Sequence, residues 1–259
     1  MSNPPESDQA SPPVHILWTS GWDSTFRVLD VLFNQKRSVQ PHYLIDPGRP
    51  SAETELRTID TLRAAIEPRL PEGVLLLPTS VTQRPDITEH AAITQAWQRL
   101  AEHAPLGEQY EWIARYAEME NLVGLELSVH IDDRAYLFLD QKIREIDDAG
   151  TRNFALQGTA DADTRLVFGR LRFPLLHISK IEMQDRSDAS GFRDIMEMTW
   201  FCHNPKGGKP CGMCFPCKFA LEEGMARRLP PLRRLKARLV WSGPGQKLRS
   251  AARKALKRT

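Results

Sequence analysis

Residues 14–25 are VHILWTSGWDST, and this stretch decides the fold class. Its first part, Val14 to Trp18, is a short apolar run, which predicts a buried β-strand. A turn of small polar residues follows, and from Asp23 to about Gln35 the apolar side chains recur at helical spacing. A buried strand that passes through a tight polar turn into a helix is typical of the start of a βαβ unit.

The same alternation continues along the chain. Further strands are predicted over residues 41–45, 74–77 and 122–129. Helices are predicted over residues 52–66, 88–102, 108–119, 134–147, 179–185 and 218–228, whereas residues 154–176 give only short strands and loops. Strands that alternate with helices predict an α/β fold, here a Rossmann-like, doubly wound parallel sheet. Such sheets bind ligands at the carboxyl ends of their strands.

Composition fits one such domain with a small appendage. The chain has 259 residues, of which 41% are hydrophobic, and it lacks a run of about 18 apolar residues, so no membrane span is expected. Residues 1–13 carry no signal-peptide pattern and are expected to form a disordered leader in a cytoplasmic protein. We expect an ATP-binding α/β domain over 14–190, a zinc subdomain with a helix over 191–228, and a basic tail over 229–259.

Charge is distributed very unevenly. The net charge is +2, yet residues 225–259 contain twelve Lys or Arg and no Asp or Glu. The rest of the chain therefore has 23 basic and 33 acidic side chains. The tail, in which Leu248, Ala252 and Leu256 recur at helical spacing, suits contact with nucleic acid, an acidic partner or a membrane surface, or a simple solvated helix.

The turn after the first strand has the chemistry of an anion site. Free N–H groups at a helix start favour an anion, and hydroxyl groups add donors for phosphate oxygens. An acid at this point can help to hold Mg²⁺, although an ordinary helix N-cap uses the same residue types. The candidate phosphate-binding residues are Thr19, Ser20, Gly21, Asp23, Ser24 and Thr25.

All four cysteines lie within sixteen residues of each other. Cys202, Cys211, Cys214 and Cys217 offer four thiolates, and Gly212 permits a tight turn between them. Four sulfur ligands close a tetrahedral site, which indicates structural zinc. An iron–sulfur cluster uses the same ligands and remains the alternative.

The two motifs together resemble a known family. Thr19 to Ser24 resembles the Ser-Gly-Gly-x-Asp-Ser loop of the PP-loop ATP pyrophosphatases. In combination with the cysteine spacing it resembles the 7-cyano-7-deazaguanine synthase family. Phe173 to Glu182 resembles that family's Pro-Leu…Thr-Lys-x-Glu segment, Thr199 to Cys202 its Thr-Trp-Ser-Cys, and Asp46 to Arg49 its Asp-Tyr-Gly-Gln. The chain would be a divergent paralogue.

The resemblance implies an ATP-dependent ligase. In that family a carboxylate oxygen of a small molecule attacks the α-phosphate of ATP and pyrophosphate leaves. Ammonia or another amine then displaces AMP to give an amide, and with ammonia a second activation, at the amide oxygen, dehydrates the amide to a nitrile. By resemblance, the loop residues and Asp46 would hold ATP and Mg²⁺. Asp23 and Lys180 would be catalytic.

Two loops expected to face the substrate differ from the family pattern. They comprise residues 106–111 and residues 128–133, the latter with His130, Asp132 and Asp133 after the fourth strand. Their divergence favours a substrate other than a deazapurine. A tRNA sulfur transferase of the PP-loop class is one alternative function, and a nucleotide-sensing or partner-binding module without catalysis is another. The sequence leaves a homodimer open.

Overall fold

The computed structural model describes residues 12–242. The predicted leader, up to residue 11, and the helical spacing at residues 246–259 lie outside the described residues. Between residues 12 and 242 the chain is an α/β structure with one seven-stranded sheet. None of its helices has the length and apolarity that crossing a bilayer demands.

The sheet is mostly parallel, with strand order β3-β2-β1-β4-β7-β6-β5. The strands are β1 Val14–Leu17, β2 Val39–Ile45, β3 Ser80–Gln83, β4 Leu125–Glu126, β5 Ile143–Asp148, β6 Thr151–Leu156 and β7 Leu171–Arg172.

The α-helices follow the strands in the alternation that the sequence predicts. They are α1 Trp22–Leu29, α2 Ala52–Ile66, α3 Ala91–His103, α4 Gln109–Met119, α5 Arg134–Leu139, α6 Ala162–Phe168, α7 Lys180–Ala189, α8 Arg193–Glu197, α9 Phe215–Glu222 and α10 Pro231–Trp241. A π-helical turn, Asp30–Asn34, extends α1. Short 3-10 turns occupy Glu67–Arg69, Arg84–Asp86 and Ala226–Arg228.

Two hydrophobic cores lie on opposite faces of the sheet. Successive side chains of a strand point to opposite faces, and in β1 Ile16 belongs to one core whereas Leu17 belongs to the other. The first core includes apolar residues of α1, α2 and α8. The second is formed with α3, α4 and α6. The sheet is therefore covered on both sides, as predicted for a doubly wound fold.

A buried ion pair holds α1 over the middle of the sheet. Arg27 Nε lies 2.6 Å from Glu126 Oε2, and Arg27 Nη2 lies 2.7 Å from Glu126 Oε1. Asn153 Nδ2 donates to the same Oε1 at 2.8 Å. Loss of one partner would leave an unpaired buried charge, at a cost of about 3–5 kcal/mol. This network fixes the last turn of α1 against β4 and β6.

The predicted parallel sheet holds for β1, β2, β3, β4 and β7, but β5 and β6 pair antiparallel and β6 also runs antiparallel to β7. The predicted helix over 134–147 ends at Leu139, and its second half is β5. The reason is a two-residue hairpin: Ala149 and Gly150 have φ of 51° and 77°. Positive φ at both central residues is the geometry that joins two twisted antiparallel strands.

Other boundaries shift by smaller amounts. The predicted strand at residues 74–77 makes only an isolated parallel bridge between Leu76 and Val39, and the paired strand is β3. The predicted strand at 122–129 pairs only through β4. The start of the basic tail forms the helix α10. The ambiguous stretch 154–176 contains part of β6, then α6 and β7.

Candidate functional site

The loop between β1 and α1 is held in an unusual backbone conformation. Ser20 has φ of 56° and is fully buried. A non-glycine residue in the left-handed region costs about 1 kcal/mol or more. The Ser-Gly-Gly-x-Asp-Ser motif that this loop resembles has glycine at the position of Ser20, and glycine adopts a positive φ without that cost. The strain is maintained because Trp200 N donates a 2.9 Å hydrogen bond to Ser20 O.

Hydroxyl groups line the inside of this loop. Ser24 Oγ accepts from Thr19 N at 3.3 Å and lies 3.4 Å from Thr19 Oγ1. Thr25 has a different role, since it is fully buried and its Oγ1 accepts from Trp18 Nε1 at 2.9 Å. Thr19 and Ser24 therefore face the open side of the loop, whereas Ser20 and Thr25 support it from beneath.

Two cavities adjoin at the loop and share Thr19, Gly21, Asp23 and Arg49 as lining residues. The smaller has a volume of about 170 Å³ and lies at the carboxyl ends of β1, β2 and β4. Its walls are apolar: Leu17, Leu44, Trp112, Ile113 and Leu127. The larger, of about 290 Å³, opens toward α9 and the segment after it. The site lies where strand order predicts ligand binding in a doubly wound sheet.

Lys180, at the N-terminus of α7, lies in the larger cavity together with Asp23 and Asp133. Its Nζ donates a 2.9 Å hydrogen bond to Glu223 Oε2. Burial alone lowers the pKa of Lys180, but the carboxylates of Asp23, Glu223 and Asp133 outweigh it and raise the pKa. The ammonium group therefore keeps its positive charge beside the loop.

His130 lies between two of these acids. Its Nε2 is 3.6 Å from Asp23 Oδ2 and 3.7 Å from Asp133 Oδ2, and the side chain is 3% exposed. Asp132 N donates to His130 Nδ1 at 3.2 Å. Because Nδ1 accepts a hydrogen bond, the neutral ring carries its proton on Nε2 and directs it toward the carboxylates. His130 is thus suited to orient the acids.

Asp133 has an electrostatically perturbed carboxyl group. Burial, followed by the negative charge of Asp23, raises its pKa against the opposing effects of His130 and Lys180. The ammonium group of Lys180 therefore lies among several carboxyl groups. Perturbed ionisable groups that converge in a cleft are typical of functional sites.

Arg228 is a third cation in the larger cavity, besides Lys180 and Arg49, and sequence patterns gave no signal for it. Its guanidinium lies 5.4 Å from the ring of Trp22 and 4.9 Å from the ring of Phe201. Its Nη2 donates to the backbone oxygen and to Oγ1 of Thr199. Burial lowers its pKa to about 10. Among residues 12–242, no carboxylate lies within ion-pair distance of this guanidinium.

The predicted ligand Asp46 does not line either cavity. It accepts from Gly48 N at 3.2 Å and lies 3.8 Å from Arg84 Nη1. In the same loop, Arg49 lines both cavities, and its Nε is 3.2 Å from Glu55 Oε1. Within the run Asp46 to Arg49, the side chain that reaches the site is therefore that of Arg49 and not that of Asp46.

The four cysteine sulfurs converge as predicted and can bind a metal ion such as zinc. All four lie within 4.8 Å of one another. The Cys202–Cys214 and Cys211–Cys217 sulfur pairs are 3.8 Å and 3.9 Å apart. Tetrahedral coordination with metal–sulfur bonds of about 2.3 Å requires sulfur separations of about 3.8 Å. The geometry therefore fits a four-thiolate site.

Backbone N–H groups stabilise negative charge on the sulfurs. Cys211 N donates to Cys202 Sγ at 3.1 Å, and Met213 N donates to Cys211 Sγ at 3.2 Å. Gly212, with φ of 74°, is needed in this turn because a Cβ there would lie 2.6 Å from Arg233 O.

The cysteine segment and the loop form one continuous site. Trp200 contacts the loop through its backbone, and its Nε1 donates to Cys202 O at 2.7 Å. Thr199 anchors Arg228, and α9, which begins beside Cys214, ends next to Glu223. The four-cysteine cluster is therefore connected by short contacts to Trp200, Arg228 and Glu223, which all line the larger cavity.

Two loops, residues 106–111 and 128–133, were expected to face the substrate, and only the second borders the cavities. Ser128 lines the smaller cavity and Asp133 the larger. In the other loop, Tyr110 is buried and Glu111 accepts from Thr94 Oγ1 at 2.6 Å. Residues 106–111 therefore contribute to packing and do not line either cavity.

Comparison with protein-family models gives no match, and comparison with curated proteins finds no match either. The functional proposal below therefore rests on the geometry and chemistry of this chain's own residues.

Proposed function

We propose that the chain is an ATP-dependent ligase that activates a small carboxylate as an acyl adenylate. The observation that carries this proposal is the meeting of two chemically different cavities at the loop of Thr19, Gly21 and Asp23. Away from the polar residues that the two cavities share at the loop, the smaller is lined mainly by apolar side chains, whereas the larger adds Lys180, Arg228 and further acids and aromatic rings. A reaction that joins a nucleotide to a second substrate needs such a pair of adjacent compartments.

The smaller cavity suits the nucleoside of ATP. Its leucines lie at three strand ends, and Trp112 offers an aromatic ring at the wall. A purine ring is planar and largely apolar, so burial in this slot would be favourable. The base would then lie at the strand ends with the phosphates directed along the loop.

The phosphates would lie over the loop and the start of α1. The helix N-terminus and the hydroxyls of Thr19 and Ser24 offer donors, and Lys180 and Arg49 add positive charge. Donors already fixed in position stabilise the charge that develops on departing pyrophosphate. In this proposal Lys180 is the catalytic cation of the loop.

Asp23 and Asp133 would hold Mg²⁺. Asp23 Oδ1 is buried and makes no hydrogen bond within the described chain. Carboxylate oxygens are the ligands that Mg²⁺ prefers, and an unpaired buried oxygen fits this use. When bound, the ion supplies neutralisation of phosphate charge. The backbone N–H of His130, which donates to Asp133 Oδ2 at 3.2 Å, would keep that acid in place.

The carboxylate of the second substrate would bind Arg228. A half-buried guanidinium without an acidic partner is costly, and an anionic ligand would remove that cost. The rings of Trp22, Trp200 and Phe201 line the same cavity. The substrate class is therefore an acid with a flat or apolar body, and attack by its oxygen on the α-phosphate would release pyrophosphate. Ammonia or an amine would complete the reaction.

We further propose that the four-cysteine site holds zinc. The sulfur separations fit tetrahedral coordination, and four protein ligands leave no open position for catalysis. Sulfur transfer is disfavoured, because all four cysteines of the chain belong to the cluster and none lines either cavity.

The products of ATP turnover provide the test. The full chain is incubated with ATP, Mg²⁺, ammonia and a panel of aromatic and aliphatic carboxylic acids, and nucleotides are separated by chromatography. AMP and pyrophosphate should appear with at least one acid. Asp23→Asn should reduce their formation by about 10²-fold or more.

Asp60→Asn is the matched control, since Asp60 is exposed on α2 and distant in sequence from the loop. It should retain wild-type turnover. Production of ADP and phosphate, or equal turnover by Asp23→Asn, would contradict adenylation at this loop. Tight ATP binding without turnover on any acid would instead favour a nucleotide-binding module.

A further inference from the structure

Within the part of the chain that the structure describes, the helix α10 carries a leucine face that no other segment covers. Leu232, Leu235 and Leu239 are 83%, 58% and 63% exposed. At 100° per residue these three side chains fall within an arc of about 60°. Ala237, which is fully buried, lies about 170° from the centre of that arc. The leucine face therefore points directly away from the body of the protein.

The helix is held rigidly in this orientation. Arg233 O packs so closely on Gly212 that a Cβ there could not fit, and the ring of Trp241 lies 5.4 Å from that of Phe215. Arg234 Nη2 donates to Leu229 O at 3.2 Å. The leucines cannot turn inward without breaking these contacts, so their exposure is a property of the fold.

Basic side chains border the leucine face. Lys236 and Arg238 are exposed and lie on its two sides in helical projection. The sequence after Ser242 adds six more Lys or Arg and no acid. A second copy of the same face would be repelled by this charge, and the basic tail is likewise unsuited to cover it. Nucleic acid would match the charge but would make no use of three aligned leucines.

We propose that α10 docks the protein on an anionic lipid surface, with the leucine face against the acyl chains. Leucines with flanking Lys and Arg are the pattern of helices that lie in a bilayer interface. Ten basic residues spread over residues 233–259 suit a broad charged surface better than one small acidic peptide. The acidic body would remain on the aqueous side, with the nucleotide site open to solution.

The test is sedimentation of the full chain with vesicles, either of phosphatidylcholine alone or of phosphatidylcholine mixed with phosphatidylserine. We expect binding to the mixed vesicles and little binding to the neutral ones. The double variant Leu235→Ser, Leu239→Ser should bind the mixed vesicles at least about tenfold more weakly, because two apolar side chains lose their burial. Lys236→Gln with Arg238→Gln should also weaken binding by about tenfold.

Leu137→Ser is the matched control, because Leu137 is 77% exposed on a different helix, α5. It should bind vesicles as the wild type does, and circular dichroism should show that all variants are folded. Absence of binding to mixed vesicles overturns the proposal. So does binding that the leucine variants leave unchanged, or selective binding of an acidic helical peptide or RNA in place of vesicles.

Discussion

Lys180 Nζ donates a 2.9 Å hydrogen bond to Glu223 Oε2, and this contact joins the first residue of α7 to the residue that follows α9 across the larger cavity. Both side chains are largely buried. Glu223 follows α9, the helix that starts at the cysteine cluster. The ion pair therefore ties the position of the Lys180 ammonium group, the proposed catalytic cation, to that of the cluster.

The first prediction concerns this pair. Lys180→Met should reduce pyrophosphate formation by about 10²–10³-fold, since a fixed cation beside the departing phosphates would be lost. Glu223→Gln keeps a hydrogen-bond acceptor and should reduce it by only about tenfold. Lys209→Met, at an exposed position in the cysteine loop, is the control. Equal activity of Lys180→Met and wild type would remove Lys180 from the mechanism.

The second prediction concerns the metal. Elemental analysis should find about one zinc per chain, and its removal by a strong chelator should lower Tm by about 5–10 °C. ATP affinity should fall as well, because the hydrogen bond from Trp200 to Ser20 depends on the cysteine segment. Added zinc should restore both properties. Iron with visible absorbance would refute the zinc assignment, and unchanged ATP binding by metal-free protein would refute the coupling.

The third prediction is a pH dependence of stability from His42. Burial, and then the charge of His15, lower the pKa of His42 from 6.5 to about 4. The unfolded chain binds the proton more readily, so stability is lost as pH falls from about 6.5 to about 4. The loss should reach about 3 kcal/mol in the free energy of unfolding. Below about pH 4 this contribution should change no further.

Urea unfolding at several pH values measures this effect. His42→Gln should flatten the dependence, although it also loses the 2.7 Å contact between His42 Nδ1 and Tyr116 Oη. His103→Asn, at the exposed end of α3, should leave the slope unchanged. An equally steep slope in His42→Gln would show that other groups cause the loss.

The fourth prediction assigns Arg228 to the second substrate. Arg228→Met should raise KM for the carboxylate by about 100-fold, equivalent to about 3 kcal/mol, and leave the Kd for ATP unchanged. Arg227→Met is the control, since Arg227 pairs with Glu197 outside the cavity. Weakened ATP binding with an unchanged carboxylate KM would place Arg228 on the phosphates instead.

The fifth prediction concerns substrate identity. 7-carboxy-7-deazaguanine should be converted poorly or not at all, because residues 128–133 border both cavities and differ from the family pattern. Each lost polar contact to a buried substrate costs about 1–3 kcal/mol. Incubation with ATP, Mg²⁺ and ammonia, followed by mass spectrometry, detects the nitrile product. Efficient conversion would show that the divergent loops do not alter specificity.

Much of the parallel half of the fold could be predicted from local sequence. Val14 to Leu17 had to be a buried strand, and the helical spacing after Asp23 had to cover it, because both patterns arise from burial of adjacent side chains. The cysteine spacing likewise predicted the convergence of four sulfurs. The hairpin of β5 and β6 was missed, since its turn at Ala149 and Gly150 lacks a strong sequence signal.

The sequence by itself determined which residues could form a phosphate-binding loop and a metal site, because each is encoded within a short stretch of chain. Only the tertiary structure decided which side chains complete the cavities. Arg228, Glu223 and Arg49 reach the loop from segments distant in sequence, and Asp46 does not reach it. The physical reason is that electrostatic partners are chosen by distance in space and by shared burial, neither of which local spacing specifies.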